Sequence, residues 1–144
     1  PWRALNADVA EGVTVADQND DPDSLLSHYR GLIHARNNNV ALRSGEMIRI
    51  DSGSGNVLAF LRPTDAQTLL VIINMRPREV DNYGLTLDVS PLTDLNNLET
   101  VYVNGEFSGD GEFALPELDA EGGFSAYMPI PVLPANSTLI LALD

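Results

Sequence analysis

Residues 21–36, Asp-Pro-Asp-Ser-Leu-Leu-Ser-His-Tyr-Arg-Gly-Leu-Ile-His-Ala-Arg, form the only segment of this chain whose apolar side chains recur at helical spacing. Leu25, Leu26, Tyr29, Leu32 and Ile33 fall at i, i+1, i+4, i+7 and i+8, which places them on one stripe of an amphipathic helix over about 22–37. The start of the segment is equally readable. Asp21 is positioned as N-cap, Pro22 takes the first helical position where no amide hydrogen is missed, and Asp23 complements the positive helix end. Asn37, Asn38 and Asn39 then stop it. Everything after that point reads as strand, so the fold has to attach one helix to a β domain.

The strands announce themselves by alternation and by turns. Residues 47–51 alternate apolar and polar, residues 57–61 are apolar throughout, and Ser52-Gly53-Ser54-Gly55-Asn56 between them makes the pair a hairpin. Residues 62–66 read as the next turn. Residues 68–73 then form an unbroken apolar run, which predicts a central strand covered on both faces. Residues 75–83, with Pro77 and four charged side chains, read as a loop, followed by strands at 85–89, 100–103, 113–115, 124–128 and 139–143. Seven or eight short strands with no helix between them predict a mainly β domain, an antiparallel Greek-key β-sandwich preceded by the one amphipathic helix. Residues 1–20 carry one aromatic, Trp2, and read as a loop, much of it poorly ordered in an isolated chain.

Composition excludes several kinds of partner. The net charge is −13, all eight basic residues are arginine and lysine is absent, a balance that repels phosphate backbones and anionic lipid. Nucleic acid and acidic membranes are therefore not expected partners, whereas neutral sugars are compatible. The run Leu69-Leu70-Val71-Ile72-Ile73 falls far short of the roughly 18 residues of a membrane span. No signal peptide is visible, and a chain opening mid-motif at Pro1 reads as a piece of something longer. With no cysteine, thiolate metal sites and disulfides are excluded, and the compartment is left open.

The helical segment also carries a family resemblance. Asp-Pro-Asp-Ser-Leu-Leu-x-x-Tyr-Arg-x-Leu-Ile-x-x-Arg at 21–36, with Ala41-Leu42 and Gly45 after it, resembles the last barrel helix of the α-amylase family of glycoside hydrolases, which includes α-amylases and α-glucosidases. In that family the helix leads into an all-β C-terminal domain. Pro1-Trp2 is similar to the tryptophan-containing loop after the eighth barrel strand, and Val40 departs from the family at a position where proline is common. The likeness covers residues 1–45 and implies that residues 1–43 are the tail of a catalytic (β/α)8 barrel and residues 44–144 a C-terminal β-sandwich. It further implies that the stripe Leu25, Leu26, Tyr29, Leu32 and Ile33 packs between barrel and sandwich, and that the barrel of the same polypeptide is the partner. The Asp nucleophile, Glu acid/base and supporting Asp of the family belong to barrel motifs that this sequence does not contain.

Few residues offer chemistry of their own. His28 and His34 are six positions apart, about 120° around a helix, so they cannot share a metal as an i, i+4 pair would. Asp23, Ser24 and Ser27 beside them point outward from one helix and form no triad. The run from Asp17 places Pro22 where a calcium loop needs glycine and His28 where it needs glutamate. Glu106, Asp110, Glu112, Glu117, Asp119 and Glu121 read as a solvated acidic rim rather than a calcium site, because no ligand spacing recurs. The glycine-rich turn at 52–55 lacks the lysine and following helix of a phosphate cradle. Asn136-Ser137-Thr138 is a glycosylation sequon, meaningful only in a suitable secretory pathway. No catalytic residue, metal or cofactor is expected. Trp2 is the one candidate for substrate contact, since an indole face can stack on a sugar ring.

Three functions compete at this level. The first is a non-catalytic C-terminal domain that stabilises the barrel of an α-glucan-acting enzyme. The second is a starch- or glycogen-binding sandwich module, which has no tryptophan and only Tyr83, Tyr102, Tyr127 and a few phenylalanines to offer. The third, an unrelated immunoglobulin-like interaction domain, leaves the capped helix unexplained. Freed from a barrel, the chain should expose the helix or the strand at 69–73 and self-associate.

Overall fold

A computed structural model describes residues 14–107 and 113–144. Three helices come first, α1 (Val15–Asn19), α2 (Leu25–Asn38) and α3 (Val40–Ser44). Seven strands follow, β1 (Ile48–Ile50), β2 (Val57–Thr64), β3 (Gln67–Asn74), β4 (Leu85–Leu87), β5 (Leu98–Asn104), β6 (Phe124–Tyr127) and β7 (Thr138–Leu143). All pairings among them are antiparallel. One sheet runs β1-β2-β3-β7-β5 and the other pairs β4 with β6. The last strand thus inserts between β3 and β5 after the chain has twice crossed to the smaller sheet, as Greek-key connections require.

Alternation in β2 decides which side chains meet. Val57, Ala59 and Leu61 are buried on one face, and the register carries that face to Ile72 and Leu70 on β3 and to Leu139 and Leu141 on β7. Against it lie Leu85, Phe124 and Tyr127 from the smaller sheet and Tyr83 and Leu133 from loops, which together make the main core. The opposite face holds a second cluster of Leu69, Val71, Ile140 and Ala142 around Ala41 of α3. Burial on both sides explains the unbroken apolar run in β3, which has the central place expected of it. The sheets are stitched at one edge by the paired amide bonds of Asp51 and Thr86, 3.1 and 2.7 Å. Among the described residues no helix is long and apolar enough to cross a membrane.

Several local expectations are corrected. The main helix begins at Leu25 rather than Pro22, with Ser24 as N-cap, its hydroxyl accepting from the Ser27 amide at 3.2 Å. Asp21 is not the cap, because its carboxylate closes a turn by accepting from the Asp23 amide at 2.9 Å. Residues 15–19 form a helix where a loop was expected, held by a capping box in which Thr14 and Asp17 bond each other's amides. The turn expected at 62–66 shrinks to Asp65-Ala66, since β2 continues to Thr64, opposite Gln67. Pro63 is tolerated in that strand because β1 pairs only as far as Leu61, leaving an open edge beyond. Residues 113–115 are no strand. Only the Ala114 amide pairs, with the Pro129 carbonyl, and prolines at 116, 129 and 131 lack the amides that would extend a ladder.

Candidate docking face and adjoining cleft

Helix α2 has two working sides. Toward the sheet it presents His28 and Gly31, on a stripe that also carries the N-cap Ser24 and Ala35, at i, i+4, i+7 and i+11 from Ser24. Ser24 and Ala35 are buried. The Tyr102 hydroxyl on β5 lies 2.9 Å from His28 Nδ1, and a Cβ on Gly31 would stand 3.0 Å from the Tyr102 ring. Glycine at 31 is what lets the helix approach this ring so closely. Burial pushes the Tyr102 phenol above its ordinary pKa.

The other side of α2 is apolar and open. Leu25 is 65% exposed, Tyr29 57% and Ile33 56%, while Leu26 and Leu32 are half-buried flanks. Of the five stripe residues named from sequence, Leu25, Tyr29 and Ile33 therefore line a face that nothing in the described chain covers.

Both ends of α2 are anchored. Gln18 of α1 accepts from the Leu26 amide at 3.1 Å, and Arg30 donates to the Asn19 side chain at 2.9 Å. At the far end Asn39 donates to the Ala35 carbonyl at 2.7 Å and accepts from Gln67 of β3 at 2.8 Å, while the Gln67 Oε1 is buried without a hydrogen-bond partner among the described residues. Arg36 and Arg43 donate to the carbonyls of Leu42 and Asn37 near the helix ends, and Arg62 donates to the Ala41 carbonyl, which also accepts the Gly45 amide at 3.0 Å. Gly45 closes α3, and a side chain there would meet the Ala41 carbonyl at 2.6 Å. The helices are thus fastened to the sheet by the apolar cluster around Ala41 and by polar contacts, and α2 keeps its apolar stripe outward.

Beside the Tyr102 contact, a cleft of about 470 Å³ opens between the start of α2 and the end of β5, lined by Asp23, Ser27, His28, Tyr102 and Asn104. Among the described residues the remaining sequence candidates do not converge on a site. His34 is exposed and bonded to Asn38 at 2.8 Å. Asp119 is spent on its own loop, accepting from the Glu121 and Gly123 amides, both at 2.8 Å. Among the described residues no group of three or more His, Cys, Asp or Glu side chains could hold a metal. Trp2, Asp110 and Glu112 lie outside the described residues.

Two of the tyrosines considered for a sugar platform are core residues. Tyr83 and Tyr127 are buried and donate to the carbonyls of Ile130 and Ala114. Burial raises the Tyr83 phenol to about 12, and burial followed by the charge of Tyr83 raises that of Tyr127 further.

Comparison with known proteins gives a consistent likeness. No family model matches the chain. An oligo-1,6-glucosidase of Halalkalibacterium halodurans is 32% identical over 81 residues, covering 56% of this chain and 14% of that protein. The crystal structure of an α-amylase from H. orenii superposes at a TM-score of 0.58 with 30% identity, covering 91% of this chain and 22% of that one. A trehalose-6-phosphate hydrolase of Bacillus licheniformis, at 18% identity and TM-score 0.62, and an isomaltulose synthase of Erwinia rhapontici, at 22% and 0.63, share the fold over the whole of this chain and 22% of their own. The chain spans about a fifth of the length of the solved structures it matches.

Proposed function

From the premise that the chain matches the C-terminal part of an α-amylase-family glycoside hydrolase, we propose that it is the non-catalytic brace of an enzyme acting on α-glucans. In this reading residues 1–43 are the tail of the catalytic barrel, α2 is its last helix, and the β-sandwich holds that helix in place. The observation that carries it is the bifacial character of α2, fixed to the sandwich through His28 and Gly31 while Leu25, Tyr29 and Ile33 remain exposed. The occupant of the exposed stripe is the barrel, because the matched enzymes extend several-fold beyond this chain. Covering what is exposed of Leu25 and Ile33 contributes roughly 2–4 kcal/mol before ordering costs, and Tyr29 adds a similar increment.

No residue described here is given a catalytic role. The parent's chemistry is assigned to barrel carboxylates elsewhere in its sequence. A sandwich that binds starch through an aromatic platform is disfavoured, since Tyr83 and Tyr127 are buried with bonded hydroxyls. Deleting everything after Gly45 from the parent enzyme tests the brace. The expected result is a lower melting temperature or loss of solubility, and unchanged stability and activity would refute it.

A further inference from the structure

We propose that this fold is conditional on ionic strength, a sandwich that holds together in concentrated salt and opens in dilute solution. The acidic side chains are the origin of the device. Every Asp and Glu among the described residues is exposed, and the whole chain sets 21 of them against eight arginines. Arginine does not neutralise them. Arg30 donates to the Asn19 side chain, Arg36 and Arg43 to the carbonyls of Leu42 and Asn37, and Arg62 to the Ala41 carbonyl, all of them neutral oxygens. Among the described residues no arginine is bonded to a carboxylate, so the excess negative charge is left to solvent.

Mutual repulsion of these groups favours an expanded chain over a compact one, and mobile counter-ions are what offsets it. A chain of this length folds to a radius of gyration of about 15 Å. In about 0.01 M salt the screening length of about 30 Å exceeds that radius, so each carboxylate feels those on every other element. In about 1 M salt it falls to about 3 Å, and repulsion is confined to immediate neighbours. The carboxylates differ in what else they do. Asp17, Asp21 and Asp119 accept from amides of their own turns and so support local structure. Glu79, Glu99, Glu106, Glu117 and Glu121 have no side-chain bond among the described residues and contribute repulsion alone. Glu99 lies on β5, the strand whose Tyr102 receives α2, so the joint between helix and sheet stands in the same field. A polypeptide built this way works in a medium of roughly molar salt, and dilution loosens it.

Circular dichroism and amide NMR of the 144-residue chain across a potassium chloride series test the dependence. The expected result is a cooperative gain of native signal between about 0.01 and 1 M, with a midpoint above about 0.1 M. A chain carrying Glu79→Gln, Glu99→Gln, Glu106→Gln, Glu117→Gln and Glu121→Gln has its charge raised from −13 to −8. Repulsion scales with the square of the charge and drops to about two-fifths, so the midpoint should fall at least about twofold in salt. Salting-out of exposed apolar surface acts on both chains alike, so a midpoint unmoved by the five substitutions would overturn the proposal. Equal native signal at both ends of the salt series would do the same. Deletion after Gly45 judges the brace separately, and neither outcome decides the other.

Discussion

Replacing Asn74 with alanine should remove the polar knot that ties the end of β3 to two loops. The side chain is 1% exposed, and its amide donates to the carbonyls of Pro134 at 2.7 Å and Arg78 at 2.9 Å while its oxygen accepts from the Arg76 amide at 3.0 Å. The bond to Pro134 is fully buried, but that carbonyl keeps the Ser137 hydroxyl at 2.7 Å, so its loss costs only about 0.5–1.5 kcal/mol. The other two are partly solvated and contribute roughly 0.5–1 kcal/mol each. A total loss near 2 kcal/mol corresponds to a melting temperature lowered by roughly 7 °C in a domain of this size. Urea denaturation followed by far-UV circular dichroism measures it directly, and a loss below about 1 kcal/mol would refute the reasoning. Asn74→Asp supplies a second check. At neutral pH its carboxylate would face two carbonyls, so it should destabilise more than alanine. Burial raises the carboxyl pKa in the folded state, so the deficit should shrink on acidification, when the protonated acid regains a donor.

Three further outcomes follow from the same structure. Tyr83 has a folded pKa raised to about 12 against an unfolded value near 10, so its contribution is complete below pH 10 and disappears as pH climbs from 10 through 12; circular dichroism should show the fold failing across that window, and a signal flat to pH 12 would contradict it. With a net charge of −13, the melting temperature should rise as salt goes from about 0.01 to 1 M and the screening length falls from about 30 to 3 Å, whereas a falling temperature would mean that ion pairs dominate. Ala126 holds φ at 52° in β6, so Ala126→Gly should leave stability unchanged or raise it by up to about 1 kcal/mol, and a clear loss by calorimetry would show the methyl group to be needed.

The elements that rest on apolar periodicity were legible in the sequence. Helix α2, the first hairpin, the central place of β3 and the closing strand β7 all follow from spacing and run length. What was hidden is polar or small. The side of α2 that meets the sheet does so through His28 and Gly31, on a stripe with Ser24 and Ala35 that no apolar pattern marks, so the helix reads as one-sided when it is two-sided. Asp21 and Ser24 are both good caps, and only the turn made by the Asp21 carboxylate assigns the role to Ser24. The buried tyrosines could not be told from surface ones because the carbonyls that satisfy their hydroxyls lie far off in the chain, Ile130 for Tyr83 and Ala114 for Tyr127. A capping box at Thr14 and Asp17 was available as a T-x-x-D pattern and would have revealed α1.

Hydroxyl-radical footprinting of Leu25, Tyr29 and Ile33, in the 144-residue chain and in the intact parent polypeptide, tests most directly whether α2 joins two bodies. A brace predicts strong labelling of all three in the shorter chain and protection in the parent, with Ala35 protected in both. Equal labelling of the three in the two proteins would contradict it.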